Sequence, residues 1–243
     1  MNLHVFKSTE KLNEALISYV IDIANKAISN KNRFDFVLTG GNSPKDLYQQ
    51  LSTTFKDKID WSKVYFFFGD ERTVLPNHKD YNGLMAKTNL FDNLDLSPGQ
   101  IFYIDTTLSP NEAAKDYKEK IDQHFNGEEI NFDLILLGMG DDAHTASIFP
   151  GTDLVHNSEA TVASVWVEKL ETYRISLTAS LINSAKHIAF ITFGENKSTA
   201  LKHVIDDEQK DFSQYPAQLI EPKNGTLDWF VDEKAASTLA RRP

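Results

Sequence analysis

The sequence predicts a three-layer α/β/α fold, in which helices cover a mostly parallel sheet. Strand and helix signals alternate along the chain, which is typical of this architecture. The segment Phe132–Leu137 is a nearly continuous apolar run, as expected of a parallel strand buried on both faces. With 243 residues, 41% of them hydrophobic, the chain can bury a large core. No linker, repeat or low-complexity tract interrupts it, so we expect a single domain over residues 1–243.

The first third of the chain alternates short apolar strands with amphipathic helices. Ser8 and Thr9 are suitable N-caps for a first helix, whose apolar positions follow helical spacing. Ser43 fits the N-cap of a second helix, and Pro44 fits its first helical position. The strands predicted here are Leu3–Phe6, Phe34–Leu38 and Val64–Phe68.

The remainder of the chain continues the same alternation. Helices are predicted over Tyr81–Asn89 and Asn111–Phe125. The predicted strands are Phe132–Leu137, Thr161–Val167, Arg174–Leu177 and His187–Phe193, with short ones near Ala217–Ile220 and at Leu227–Val231.

Four predicted strands end in glycine followed by polar or charged residues. The segments are GGNSP at 40–44, GDER at 69–72, GMGDDAH at 138–144 and GENK at 194–197. Ligands of open α/β sheets bind beyond the carboxyl ends of the strands. We therefore expect the four loops to surround one pocket.

Composition restricts the partners and the location of the protein. A formal net charge of -10 argues against nucleic acid, because phosphate backbones are bound mainly through basic surface. The absence of cysteine excludes disulfides and thiol chemistry and suits a reducing cytoplasm. No apolar stretch is long enough to span a membrane, and the N-terminus lacks the pattern of a signal peptide. We expect a cytoplasmic protein that contacts neither nucleic acid nor membrane.

His144 is the strongest catalytic candidate. It lies on a loop beyond a buried strand, and Asp142 is close enough in sequence to orient its ring, as a general base near neutral pH requires. A metal site is not expected, since one histidine beside clustered aspartates has no recognised ligand spacing. Ser147 is an alternative nucleophile, but no G-x-S-x-G turn supports it, so water is favoured.

The basic and glycine-rich loops indicate a phosphorylated small molecule. Gly40, Gly41, Asn42 and Ser43 can cradle an anion at a helix N-terminus. Lys197 could add a point charge, and Arg72 could bind an anion through two parallel hydrogen bonds. Arg174 either binds the same anion or pairs with a carboxylate. GMGDDA matches a dinucleotide fingerprint, but its two aspartates would face the phosphates, so no nucleotide cofactor is expected.

Five motifs in order resemble the 6-phosphogluconolactonases, within the group that includes glucosamine-6-phosphate deaminases. They are LTGGNSPKDLY at 38–48, FFGDERTV at 67–74, GMGDDAHTASIFPGT at 138–152, RISLT at 174–178 and FGENKSTAL at 193–201. The resemblance implies a Rossmann-like sheet of the glucosamine-6-phosphate deaminase/ribose-5-phosphate isomerase type. It also implies hydrolysis of 6-phospho-D-glucono-1,5-lactone without a metal or organic cofactor.

The resemblance also implies roles for individual residues. His144 would activate water at the lactone carbonyl, Asp142 would support it, and Arg72 would contact the substrate. The positions expected around the phosphate and sugar are Gly41, Ser43, Arg174 and Lys197, with Asp70 adjacent by motif. The expected partner is a small phosphorylated sugar lactone, and the expected assembly is a monomer or homodimer.

Three positions differ from related patterns. Ala143 stands where the family usually has glycine, and it would be strained if the turn requires a positive φ. Phe149 stands where deaminases have a glutamate that assists ring opening, and deaminases have tyrosine at the position of Arg72. These differences favour hydrolysis over deamination. A glucosamine-6-phosphate deaminase and a non-catalytic sugar-phosphate sensor remain the alternatives.

Overall fold

Nine strands form two sheets in the computed structural model, which describes residues 1–240. Residues 241–243 lie outside the described part. The strands are β1 (Asn2–Phe6), β2 (Phe34–Leu38), β3 (Val64–Phe68), β4 (Asp70–Arg72), β5 (Leu134–Gly138), β6 (Val162–Val167), β7 (Thr172–Leu177), β8 (His187–Thr192) and β9 (Thr226–Asp232). Six of them form a parallel sheet in the order β1-β9-β8-β5-β2-β3. The predicted mostly parallel α/β fold is confirmed.

The helices of the described residues follow the predicted alternation. They are α1 (Thr9–Lys31), α2 (Lys45–Ser52), α3 (Asn82–Asn89), α4 (Pro110–Phe125), α5 (Ala179–Ile182) and α6 (Ser198–Asp206). The Ser8 hydroxyl caps α1 by accepting a hydrogen bond from the Lys11 backbone N–H. The N-cap predicted for Ser43 is wrong. Pro44 occupies that position without a side-chain cap, so the amides before α2 remain available to a ligand.

The strand order reverses between β2 and β5. From β2 the chain continues outward to β3, whereas from β5 it continues in the other direction to β8 and β9. Such a reversal separates the connecting segments and opens a crevice at the carboxyl ends of the two strands. The glycine-rich loop at 40–43 follows β2, and the loop at 139–144 follows β5. Topology therefore places both loops at this crevice.

The second sheet is antiparallel, in the order β4-β7-β6. Residues 70–72, predicted as a strand-end loop, form the short strand β4 instead. Gly69 makes the transition: its N–H donates to Leu38 O at 3.0 Å in the main sheet, and its carbonyl accepts from Leu177 N at 2.9 Å in the second sheet. The charged residues of β4 therefore face β7, a contact that local sequence does not reveal.

A second correction concerns the segment near the C-terminus. The short strand predicted near Ala217–Ile220 is wrong, because Pro216–Leu219 forms a 3₁₀ turn. The Ala217 N–H donates to Ala143 O at 2.9 Å, so the turn braces the loop after β5 rather than joining a sheet.

One connected hydrophobic core includes residues of both sheets, with Phe36 and Phe66 in the main sheet and Val165 and Ile175 in the second. That residues 1–243 form one domain stays a prediction. Among residues 1–240, no helix combines the length and the apolar character needed to cross a membrane.

Candidate active site

The four predicted loops line one cavity of about 200 Å³ at the carboxyl edge of the main sheet. The sequence-predicted residues in its wall are Gly40, Gly41, Asn42, Ser43, Asp70, Arg72, His144, Arg174 and Lys197. Asp142 is the one predicted site residue outside this wall, because it contacts the ring of His144 instead. The structure thus brings together residues separated by more than 150 positions in the sequence.

His144 and Asp142 form a closely paired unit. Asp142 Oδ1 lies 2.5 Å from His144 Nδ1 and accepts from the His144 backbone N–H at 3.2 Å. Burial raises the pKa of Asp142, but hydrogen bonds from His144 and Lys169 together with the charge of His144 outweigh it, so the net pKa is lowered. The carboxyl group is therefore a fixed anion beside the imidazole.

Gly140 makes this pairing possible. A Cβ at residue 140 would overlap both the His144 ring and the Asp142 carboxylate. The Gly140 N–H also donates to His144 O at 2.8 Å, which closes the turn. The glycine is required because two side chains approach its backbone closely.

The turn contains two non-glycine residues with positive φ. Ala143 has φ 59° and Ala146 has φ 47°. The conformation favoured by glycine is thus retained at position 143, where the sequence departs from the family pattern. The cost of the left-handed conformation for alanine is about 1–2 kcal/mol. The Ala143 methyl is fully buried, so packing offsets part of that cost.

Sequence reasoning did not anticipate the surroundings of His144. Phe149 stacks on the imidazole with ring centroids 4.0 Å apart and an interplanar angle of 20°. Lys169, from the turn between β6 and β7, bonds to Asp142 Oδ2 and lies 5.0 Å over the Phe149 ring. No motif marks Lys169, since its position depends on contact between distant segments.

Two arginines face each other on the short strands. Arg72 of β4 pairs in register with Arg174 of β7. Burial lowers the pKa of Arg174, and the charge of Arg72 lowers it further, although both guanidinium groups remain cationic at neutral pH. Like charges placed directly opposite destabilise a sheet, and an anion bound between them would offset this. Lys197, immediately before α6, adds a third positive charge to the cavity.

The loop after β2 presents unpaired amides to the cavity. Within residues 1–240, the N–H groups of Gly41, Asn42 and Ser43 have no protein acceptor. Thr39 anchors the loop through two hydrogen bonds with the buried Tyr48 hydroxyl, at 3.0 and 2.9 Å. These amides precede α2, where the helix dipole favours an anion.

Two acidic residues of β4 accept hydrogen bonds from residues around the cavity. Asp70 Oδ2 accepts from the buried Ser147 hydroxyl at 2.6 Å, so that proton is directed at Asp70 rather than at His144. Glu71 is buried and accepts from the N–H groups of Arg72, Asn82 and Gly83. Burial raises the pKa of Glu71 to about 8 despite these three donors. Glu71 thereby joins β4 to the start of α3.

A larger cavity of about 870 Å³ lies next to the first, and Phe149 lines both. Asp142, Lys169 and the exposed Trp166 are also in its wall. In the part of the chain that the structure describes, no three His, Asp or Glu side chains are grouped to hold a metal ion.

Comparison with known proteins gives consistent matches. The sequence pattern described as "Glucosamine-6-phosphate isomerases/6-phosphogluconolactonase" matches residues 7–229. The 6-phosphogluconolactonase of Nostoc sp. is 38% identical, over 93% of this chain and 95% of the relative. The Rattus norvegicus 6-phosphogluconolactonase is 33% identical, over 98% of this chain and 93% of the relative. A solved 6-phosphogluconolactonase from Thermotoga maritima is 25% identical with a TM-score of 0.82, covering 95% of this chain and 99% of that one.

Proposed function

Because the chain belongs to the family of glucosamine-6-phosphate isomerases and 6-phosphogluconolactonases, we propose that it hydrolyses 6-phospho-D-glucono-1,5-lactone to 6-phospho-D-gluconate. The observation that carries the proposal is the position of the His144–Asp142 pair at a cavity whose wall also contains Arg72, Arg174 and Lys197. A base beside a cationic pocket suits an ester that carries a phosphate.

The phosphate binds to the cationic side of the cavity. Arg174 and Lys197 contribute charge, and the amides of Gly41, Asn42 and Ser43 donate hydrogen bonds. Phosphate binding holds the lactone in place, which converts attack by water into a reaction of positioned groups. The anion also compensates the repulsion between the two facing arginines.

His144 acts as the general base. Its Nδ1 faces Asp142, which holds the proton there and leaves Nε2 to accept one from water. As Nε2 takes this proton, the water oxygen bonds to C1 of the lactone and the carbonyl becomes an oxyanion. We assign the stabilisation of that charge to Arg72, which lines the same cavity. The C1–ring oxygen bond then breaks, the ring oxygen receives the proton from His144, and the released carboxylic acid ionises.

Phe149 supports hydrolysis rather than deamination. Ring opening in the deaminases relies on a glutamate, but here an apolar ring stacks on His144 at that position. Phe149 cannot exchange a proton with a substrate. It restricts the imidazole to one plane and shields one face from water.

Lactone hydrolysis by the purified protein, corrected for the spontaneous reaction, tests the proposal. We expect His144→Ala to lower kcat by about 10²-fold or more, the usual contribution of a general base. His187→Ala is the matched control. His187 is the first residue of β8, and the cavity lies at the other, carboxyl end of the strands. Wild-type rates equal to the background would refute the activity. Ammonia release from glucosamine 6-phosphate would instead establish the deaminase, and binding without turnover would establish the sensor.

The proposal includes a cytoplasmic location, the lack of a nucleic-acid partner, and a monomer or homodimer. The absence of cysteine supports the cytoplasmic location, and the net charge of -10 supports the lack of a nucleic-acid partner. Light scattering of the purified protein measures the oligomeric state, and a nucleic-acid shift assay checks the absence of binding.

A further inference from the structure

We propose that Lys169 is a positioning residue that fixes the Asp142 carboxylate and tunes the proton affinity of His144. This inference rests on the proposed role of His144 as the base. Lys169 lies in the turn between β6 and β7, and Asp142 lies in the loop after β5. The second sheet therefore contacts the loop after β5 through Lys169.

The two oxygens of Asp142 have separate partners. Oδ1 faces the Nδ1 and the backbone N–H of His144, and Oδ2 faces the Lys169 ammonium. A carboxylate held only through Oδ1 could rotate about its χ2 bond and turn that oxygen out of line with Nδ1. With Oδ2 bonded to Lys169, that rotation breaks an ion pair. Lys169 thereby favours the arrangement in which Nδ1 keeps its proton and Nε2 faces the cavity.

A second contact leads to the same imidazole. The Lys169 ammonium lies 5.0 Å over the ring of Phe149, and Phe149 stacks on His144 at 4.0 Å. Cations are attracted to aromatic faces at this distance. Lys169 therefore contacts both side chains that hold the ring of His144.

This ion pair differs from an ordinary surface salt bridge. Exposed pairs contribute little to stability. The Lys169 side chain is half exposed, but that of Asp142 is only 25% exposed and is bonded to the candidate base. The contribution of Lys169 should consequently appear in the chemistry of His144 rather than in stability.

The sign of the effect follows from charge. Asp142 stabilises the protonated imidazole, and the positive charge of Lys169 opposes this. Removing Lys169 should therefore raise the pKa of His144. The other charged side chains near His144 are Asp141 on its own loop, Asp70 and Arg72 of β4, Arg174 of β7, and Lys197. They are the same in every variant compared, so the change can be assigned to Lys169.

Lys169→Met retains most of the side-chain volume and removes the charge. We expect the midpoint of the His144 titration, followed by NMR of its ring nitrogens, to rise relative to the wild type. The acid limb of the kcat/KM profile should move upward by the same amount. KM should change less than about twofold, because Lys169 lines the neighbouring 870 Å³ cavity and not the 200 Å³ cavity that contains Arg174 and Lys197. Lys169→Arg should restore the wild-type profile, and Lys115→Met, at a highly exposed lysine, is the charge-matched control.

A double-mutant cycle with Asp142→Asn tests whether Lys169 acts through Asp142. Without the carboxylate the lysine loses its anchor, so Lys169→Met should shift the pKa of His144 less in the Asp142→Asn variant than in the wild type. An equal shift in both backgrounds would overturn the positioning role. So would a titration of His144 in Lys169→Met that matches Lys115→Met.

The NMR titration does not require turnover, so it separates this inference from the proposed function. If the protein fails to hydrolyse the lactone but the His144 titration moves in Lys169→Met, and moves less in the Asp142→Asn background, positioning stands and the proposed function fails. If the lactone is hydrolysed and the pKa does not move, the proposed function stands and the positioning role fails.

Discussion

At the scale of single residues, the site depends on a turn with very little free space. Gly140 allows the approach of Asp142 and His144, and Ala143 adopts a left-handed φ of 59°. The sequence predicted a conflict at Ala143 only if the turn required a positive φ. The structure shows that it does, and that the buried methyl accommodates it. Alanine therefore adopts at position 143 a conformation that glycine adopts more readily.

Gly140→Ala should separate catalysis from folding. The added methyl displaces Asp142 and His144, and small displacements of catalytic groups are costly, so we expect kcat to fall by about tenfold or more. Steady-state lactone hydrolysis measures this, and circular dichroism checks that the fold is retained. Gly99→Ala is the matched control, because a Cβ there meets nothing within 4 Å. Unchanged kcat in Gly140→Ala would show that the close approach is not needed for catalysis.

At the scale of elements, the second sheet supplies more of the site than its short strands suggest. β4 carries Asp70 and Arg72, β7 carries Arg174, and the turn between β6 and β7 carries Lys169. All of them depend on the crossing at Gly69, where the chain leaves one sheet for the other. The pairing of Arg72 with Arg174 stores repulsion that an anion relieves.

Arg174→Met tests this element. Without phosphate, we expect the variant to be at least as stable as the wild type, since the repulsion with Arg72 is removed. Phosphate should raise the Tm of the wild type by binding the native state, and Arg174→Met should weaken that binding about tenfold, roughly 1.4 kcal/mol. Thermal unfolding with and without phosphate measures both effects. The exposed Lys223→Met is the charge-matched control, and an undiminished phosphate response in Arg174→Met would contradict the proposed anion site.

At the scale of the whole molecule, the two ends of the parallel sheet differ in the residues they carry. The carboxyl end holds the cavity, and the amino end holds a buried charge network. Asp35 of β2 bonds to Lys31, Arg33 and His124, and its backbone N–H donates to Asp133, the residue before β5. Burial raises the pKa of Asp35, but hydrogen bonds from His124 and Lys31 outweigh it, and the net pKa is lowered.

Asp35→Asn should affect stability without affecting catalysis. A lowered folded-state pKa contributes stability above the unfolded pKa, near 4, and that stability is lost as the pH falls through the folded value. We expect the variant to lose about 3 kcal/mol of unfolding free energy at pH 7, as when a buried pair is broken, and the difference to be smaller at a pH below the unfolded pKa. Urea denaturation at the two pH values measures this. Asp22→Asn, on the exposed face of α1, is the control. An equal loss of unfolding free energy at both pH values would contradict a lowered pKa of Asp35 in the folded state.

Local sequence predicts the alternation of strands and helices, the four polar loops, and His144 and Asp142 as candidate site residues. These features are local, because periodicity, glycine turns and neighbouring residues lie within a few positions of one another. Three other features become visible only in the folded chain: residues 70–72 join a second sheet, Pro216–Leu219 forms a turn, and Phe149 stacks on His144. Lys169 and Asp142 are 27 residues apart and share no motif. Their contact depends on how two sheets pack, and packing is a property of the whole core rather than of any one segment.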